Sequence, residues 1–182
     1  MESMAALIII FSFLTFIMLI LAVFLLCLAI YRLKLGVPFL VSKNKLMETI
    51  ITEEPPANGK NFYDLGSGDG WLLFYLAKKY PKVQFTGYEL NPVLYIFARL
   101  FQHRPNLKFF RKNFFQVNLK DADYLYLYLY PGIMEKLFSK LKNELKPGTV
   151  VFSNSFTFGD QINPERAFSS DRPLETLYIY KF

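Results

Sequence analysis

An unbroken apolar run opens the chain and gives way, after a basic stretch, to segments that alternate between strand and helix periodicity. From Ala5 to Ile30 the residues are almost wholly Leu, Ile, Phe, Val, Ala and Met, with no charge between Glu2 and Arg32. At about 1.5 Å per helical residue, roughly 20 residues cross the hydrocarbon core, so this run is long enough to span a bilayer with tilt. A cleaved signal peptide fits poorly, because no Lys or Arg precedes the run, the run is too long for an h-region, and no small-x-small site follows it. Gly36 to Ser42 then reads as an extended linker containing Pro38, and Lys43 to Thr52 as a short amphipathic helix stopped by Glu53, Glu54, Pro55 and Pro56.

Beyond the prolines the pattern predicts strands over 61–65, 83–89, 107–111, 123–130, 149–155 and 174–181, with a weaker one near 158–168. Helices are predicted over 70–80, from Pro92 to His103 behind an Asn91 cap, and over 133–145, where Ile133, Met134, Leu137, Phe138, Leu141 and Leu145 recur at helical spacing. Strand and helix alternate, so the expected fold class is α/β with a doubly wound, largely parallel sheet. The predicted organisation is an anchor over 1–34, a linker and short helix over 35–57 that covers the ligand site, and one domain over 58–182. In the fourth strand Tyr124, Tyr126, Tyr128 and Tyr130 alternate strictly with Leu125, Leu127 and Leu129, which puts all four tyrosines on one face. Three of them are expected beneath a helix, with Tyr130 left at the strand's open end.

Charge sharpens the topology. All 21 Lys and Arg, but only 14 of the 15 acids, follow the apolar run, so the rest of the chain carries about +7. Arg32, Lys34, Lys43 and Lys45 lie just after the run and Glu2 is the single side-chain charge before it, which places the carboxyl-terminal domain on the cytoplasmic face. Such a surface is drawn to anionic lipid, at about 1 kcal/mol per basic residue held near it. The one cysteine, Cys27, lies in the run, and the one histidine, His103, ends a predicted helix; neither builds a disulfide framework or a metal site, and no metal is expected.

The candidate chemistry sits where the first strand ends. Asp64 to Gly70 reads D-L-G-S-G-D-G, and Glu89 closes the next strand some twenty residues on. Gly66, Gly68 and Gly70 give G-x-G-x-G rather than the dinucleotide fingerprint G-x-G-x-x-G, and bulky Trp71 follows. The spacing resembles the glycine loop of S-adenosylmethionine-dependent methyltransferases. Glycine suits a backbone that turns with positive φ and meets a ligand without a Cβ in the way. Asp64, Gly66, Ser67, Gly68 and Gly70 are therefore expected to hold the methionine end of S-adenosylmethionine, and Glu89 its ribose hydroxyls. Leu90 and Phe114 are placed to sandwich the adenine, or to pack as core, with Asn113 meeting the exocyclic amine. Tyr130 is expected beside the transferred methyl group, either acting on the charge that moves there or lining the pocket.

Three segments carry a closer resemblance: D-L-G-S-G-D-G, the block Gly87-Tyr88-Glu89-Leu90-Asn91-Pro92, and Val37-Pro38-Phe39-Leu40. The chain resembles the small membrane-anchored protein-lysine methyltransferases typified by the ATP synthase c-subunit lysine methyltransferase, from the apolar run to the last strand. That resemblance implies a class I seven-strand methyltransferase fold behind one transmembrane helix, S-adenosylmethionine as cofactor, and a linker through Pro38 and Phe39 that folds over the site toward substrate. It also implies a membrane-associated protein as partner beside the lipid bilayer, and the mitochondrial inner membrane in a eukaryotic host. Trp71 stands where the family usually has Arg, Asn113 where it usually has an acid, and Val41 where it often has a second Pro. Two other readings stand beside lysine methylation: transfer to a lipid, quinone or other small amphiphile, and a membrane scaffold without turnover. Nucleic acid is not an expected partner, because Asn91-Pro92 follows the second strand and no Asn-Pro-Pro-Tyr block follows the fourth.

Overall fold

The computed structural model describes residues 2–35, 44–169 and 176–182. The chain divides into two compact units, Met1–Phe39 and Leu40–Phe182. The first is a helix, α1 (Glu2–Leu35), whose segment Ala6–Leu26 is, by length and composition, apolar enough to cross a membrane. Its described side chains between Ala6 and Leu26 are exposed, leaving a sleeve of Leu, Ile and Phe without protein cover. Pro38 and Phe39 lie outside the described residues.

The second unit runs α2 (Asn44–Glu53), β1 (Asn61–Leu65), α3 (Trp71–Lys79), β2 (Gln84–Tyr88), α4 (Pro92–Phe101), β3 (Leu107–Phe110), β4 (Tyr124–Leu127), α5 (Pro131–Glu144), β5 (Val150–Asn154), β6 (Arg166–Ser169) and β7 (Thr176–Lys181). Its seven strands form one sheet in the order β3-β2-β1-β4-β5-β7-β6. The first five are parallel, and β7 runs antiparallel to both β5 and β6. From β1 the chain builds outward to β3 and then returns to lay β4 on β1's other side. The ends of β1 and β4 therefore form the switch point where α/β sheets bind ligands.

Strand periodicity divides the core. Phe62, Phe85, Tyr124, Tyr126 and Phe152 pack on one face with Leu72, Leu73 and Leu76 of α3 and Ile50 of α2. Leu65, Leu125, Leu127 and Val151 pack on the other with Met134, Leu137 and Leu141 of α5. The tyrosine–leucine alternation thus sends each residue type to its own face, as predicted. The Tyr126 hydroxyl, fully buried, accepts from Asn154 Nδ2 at 2.9 Å, and the Tyr124 hydroxyl accepts from the Ala57 backbone N–H at 3.2 Å.

Most element boundaries lie within one or two residues of expectation, and three differences have a clear physical reason. The fourth strand stops at Leu127 instead of Tyr130, because Leu65 and Ser153 are its last ladder partners and β1 turns away at Gly66. Helix α5 starts at Pro131, whose missing N–H costs nothing at a first helical position, two residues before the predicted Ile133. The weak strand over 158–168 shrinks to β6. Phe158 instead buries its ring against Phe138, Tyr180 and Phe182, and a 3-10 turn follows at Gly159–Gln161.

Candidate active site

The loop after β1 is clamped to the end of β2. Gly66 and Ser67 both donate their N–H groups to the Tyr88 carbonyl, at 2.8 and 3.1 Å, and Gly70 N–H closes a turn on the Ser67 carbonyl at 2.9 Å. This path puts Gly66, Gly68 and Gly70 at φ of 90°, 58° and 77°, the left-handed region that disfavours a Cβ. Space adds a second demand. A Cβ on Gly70 would lie 2.4 Å from Phe109 Cζ, and one on Gly87 would lie 2.6 Å from both Phe109 Cδ1 and Ser67 Oγ. Helix, loop and sheet meet here at backbone distance, with the Phe109 ring filling the joint.

Glu89 ties the two strand ends together. Its Oε2 accepts from Gly68 N–H at 2.8 Å and its Oε1 from Asn91 N–H at 2.7 Å. Burial raises its pKa, against the backbone hydrogen bonds of Asn91, Gly68 and Leu90 that lower it. A carboxylate has about four lone-pair sites, so acceptor capacity remains for a pair of ligand hydroxyls. Asp64, only 4% exposed, has its pKa pushed well above the usual carboxylate range, first by burial, then by the charges of Glu89 and Asp69. No described residue forms an ion pair with Asp64 or Glu89. A buried and a half-buried acid that pair with no cation among the described residues suit a ligand bearing ammonium and sulfonium charge beside a ribose diol, so these residues fit S-adenosylmethionine.

The other predicted residues divide by what already occupies them. Ser67 is 8% exposed, and its hydroxyl is buried without a hydrogen-bond partner beside Gly87, beneath the loop. Leu90 is exposed, while Phe114 is half-buried and packs its ring 4.9 Å from that of Phe115. Asn113 caps the short 3-10 turn Phe114–Gln116, its Oδ1 accepting from Phe115 N–H at 3.0 Å, which leaves its amide N–H groups and a second lone pair. Asn91 is a true cap, accepting from Val93 and Leu94 N–H.

Tyr130, 48% exposed, stands at the amino-terminal cap position of α5, with its ring 6.2 Å from Phe156. Tyr128 lies 6.5 Å from the same ring. Phe156 follows a turn that escaped the sequence reading. Ser155 has φ 66°, a conformation uncommon outside glycine, and is held there by its N–H to the Thr176 carbonyl and its hydroxyl to Asn154 Oδ1. Ser153 Oγ also donates to the Phe156 carbonyl. The polar trio Ser153-Asn154-Ser155 closing an apolar strand was the available signal. Together these groups set an aromatic cluster past the end of β4, and Leu129, between the two tyrosines in sequence, would put its Cδ2 within 3.1 Å of a Cβ on Gly66.

The chain is similar to known proteins. The profile of the ANTKMT methyltransferase domain matches residues 64–166. The chain is 28% identical over 155 residues to a protein-lysine N-methyltransferase of Saccharolobus islandicus (strain REY15A), covering 79% of this chain and 92% of that one. It is 33% identical over 128 residues to an adenine nucleotide translocase lysine N-methyltransferase of Mus musculus, covering 68% of this chain and 55% of that one. The chain thus spans about half the length of the mouse protein. Among solved structures, an RNA methyltransferase from Salinibacter ruber in complex with S-adenosyl-L-homocysteine superposes with a TM-score of 0.72 at 25% identity, covering 78% of this chain and 93% of that one.

Proposed function

This chain belongs to the ANTKMT methyltransferase domain family and is an S-adenosylmethionine-dependent methyltransferase; from that premise we propose that it methylates a lysine side chain of a membrane-associated protein. The similarity to the Saccharolobus islandicus protein-lysine N-methyltransferase over most of both chains carries the choice of lysine. The membrane part of the reading is supported by α1, read as an anchor, with the positive flank at Arg32 and Lys34 holding the domain on the cytoplasmic face.

When bound, the cofactor supplies an electrophilic methyl group on a sulfonium. In this reading Asp64 accepts its ammonium and Glu89 its ribose hydroxyls, and Leu90, Asn113 and Phe114 border the base. Tyr128, Tyr130 and Phe156 offer ring faces to the acceptor amine, where positive charge is stabilised by aromatic quadrupoles as water is excluded. None of the described side chains at the end of β4 is a carboxylate. A free lysine has a pKa near ~10.4, so the amine sheds its proton to water before reacting.

Full-length protein incubated with radiolabelled S-adenosylmethionine and membranes from cells lacking it tests this reading, with Glu89→Ala as control. Label in one protein band, absent with Glu89→Ala and mapped to lysine, is the expected outcome. Label in extracted lipid would move the assignment to a small amphiphile, and no label in any fraction would leave a scaffold.

A further inference from the structure

Helix α4 is packed inside out. Its sheet-facing side carries Asn91 at the cap, Ala98, and Gln102 just past the end, buried to 8%, 0% and 8% exposure. The side turned to solvent carries Ile96, Phe97, Leu100 and Phe101, exposed by 53%, 44%, 64% and 65%. A surface helix ordinarily buries its apolar stripe and shows its polar one. Here the space beneath Ala98 is already filled from the sheet, by the Phe109 ring that reaches Gly70 and Gly87, so the fully buried positions are small or polar, while Val93, Leu94 and Tyr95 are half-buried. The rings of Phe97 and Phe101, 4.7 Å apart, form a continuous apolar ridge outward.

The chain from α4 through β3 carries charge of one sign. Between Glu89 and Asp121 the chain contains no acid, while Arg99, Arg104, Lys108, Arg111, Lys112 and Lys120 are all basic. Arg99, Lys108, Arg111 and Lys112 are exposed, and Phe110, on the edge strand β3, is exposed between the last three of these. An apolar helix face whose flanking chain carries only basic charge has the composition of an element that lies in a membrane interface, apolar side in the acyl boundary and cations at the headgroups.

We propose that the α4 face is a second membrane contact, one that docks the catalytic unit itself on a bilayer surface bearing anionic headgroups. The contact stands on α4 and its basic surround, independently of α1 and of the identity of the methyl acceptor.

The test places an environment-sensitive fluorophore at Leu100→Cys in a full-length Cys27→Ser chain, with Phe101→Cys as a duplicate and Lys142→Cys on α5 as reference. Each labelled chain is first required to keep its thermal shift with S-adenosylhomocysteine. In vesicles containing phosphatidylglycerol, the label at 100 or 101 is expected to become severalfold less accessible to aqueous iodide and to be quenched by lipid-borne nitroxide, while the label at 142 stays accessible. Neutral phosphatidylcholine vesicles, high salt, or Arg111→Gln with Lys112→Gln should remove most of that protection. Equal iodide access in vesicles and detergent overturns the proposal. Protection in detergent accompanied by energy transfer between labelled copies also overturns it, in favour of self-association. Protection produced by single-stranded RNA without lipid overturns it in favour of nucleic acid. Vesicle flotation reads the α1 anchor and lysine labelling reads the activity, so failure of either is seen separately from failure of the α4 contact.

Discussion

The two ends of the sheet treat the same residue type in opposite ways. At the amino ends, Asp123 before β4 accepts Lys146 Nζ at 2.7 Å, Lys60 Nζ at 3.1 Å and the Asn61 N–H at 2.9 Å. Burial raises its pKa, but these donors outweigh that and leave it lowered. At the carboxyl ends, Asp64 is deeply buried beside two further acids and pairs with no cation among the described residues. The first carboxylate locks β1 to β4. The second is costly to ionise in the free protein, and under the proposed function a cationic ligand would be its partner. In that reading the contrast separates a residue kept for stability from one kept for binding at stability's expense.

The most severe way to break this comparison is Glu89→Ala. It removes charge-assisted acceptors for ligand hydroxyls and leaves Gly68 and Asn91 N–H unpaired, so S-adenosylhomocysteine binding by calorimetry is expected to weaken by on the order of 100-fold, about 3 kcal/mol. An unchanged Kd would mean that the carboxyl end is not where the ligand sits. Next come the glycines. Gly70→Ala adds a Cβ to a left-handed residue against Phe109 and should cost about 2–3 kcal/mol in urea unfolding. Gly148→Ala near the amino ends has φ 86° but nothing within 4 Å, and should cost only about 1 kcal/mol.

The aspartates give opposite signs. A group whose folded pKa is raised contributes stability that is complete below its unfolded value, ~3.9, and is lost as pH rises through the folded value. That is Asp64, so Asp64→Asn should stabilise the cofactor-free protein at pH 7 by about 1 kcal/mol while weakening cofactor binding. Asp123, lowered, contributes stability above ~3.9 that is lost as pH falls through its folded value, so Asp123→Asn should destabilise by about 1 kcal/mol at pH 7 and by little in acid. Thermal melts at two pH values check both signs, and parallel shifts would dissolve the distinction. The smallest expected effect is Tyr130→Phe, which keeps the ring beside Phe156. A loss in kcat below about threefold, ~0.6 kcal/mol, separates a ring-face role from a hydroxyl role.

Much of the site was legible because its requirements are local. Glycines at alternate positions are needed where three residues adopt left-handed φ within one loop, and Asn91-Pro92 starts a helix by capping and φ restriction alone. The alternation in 124–129 assigned faces correctly because pleating is intrinsic to a strand. Strand length was not legible in the same run: Tyr128 to Tyr130 continues the pattern, but both neighbouring strands have left the ladder. Nor was the lysine pairing of Asp123, which joins residues more than sixty positions apart at Lys60 and Asn61.

By itself the sequence determined the apolar run, the α/β alternation, the glycine loop and the acid one strand later, since each follows from backbone conformation and side-chain periodicity within a few residues. Only the tertiary structure decided which acids find cations, how Asn113 and Ser67 spend their polar groups, that Ser155 is held at positive φ beside an aromatic cluster, and that α4 turns its apolar side outward. Those outcomes depend on which atoms already occupy the adjoining space. Phe109, supplied by another strand, fills the joint beneath α4, and no reading of α4 alone contains that ring.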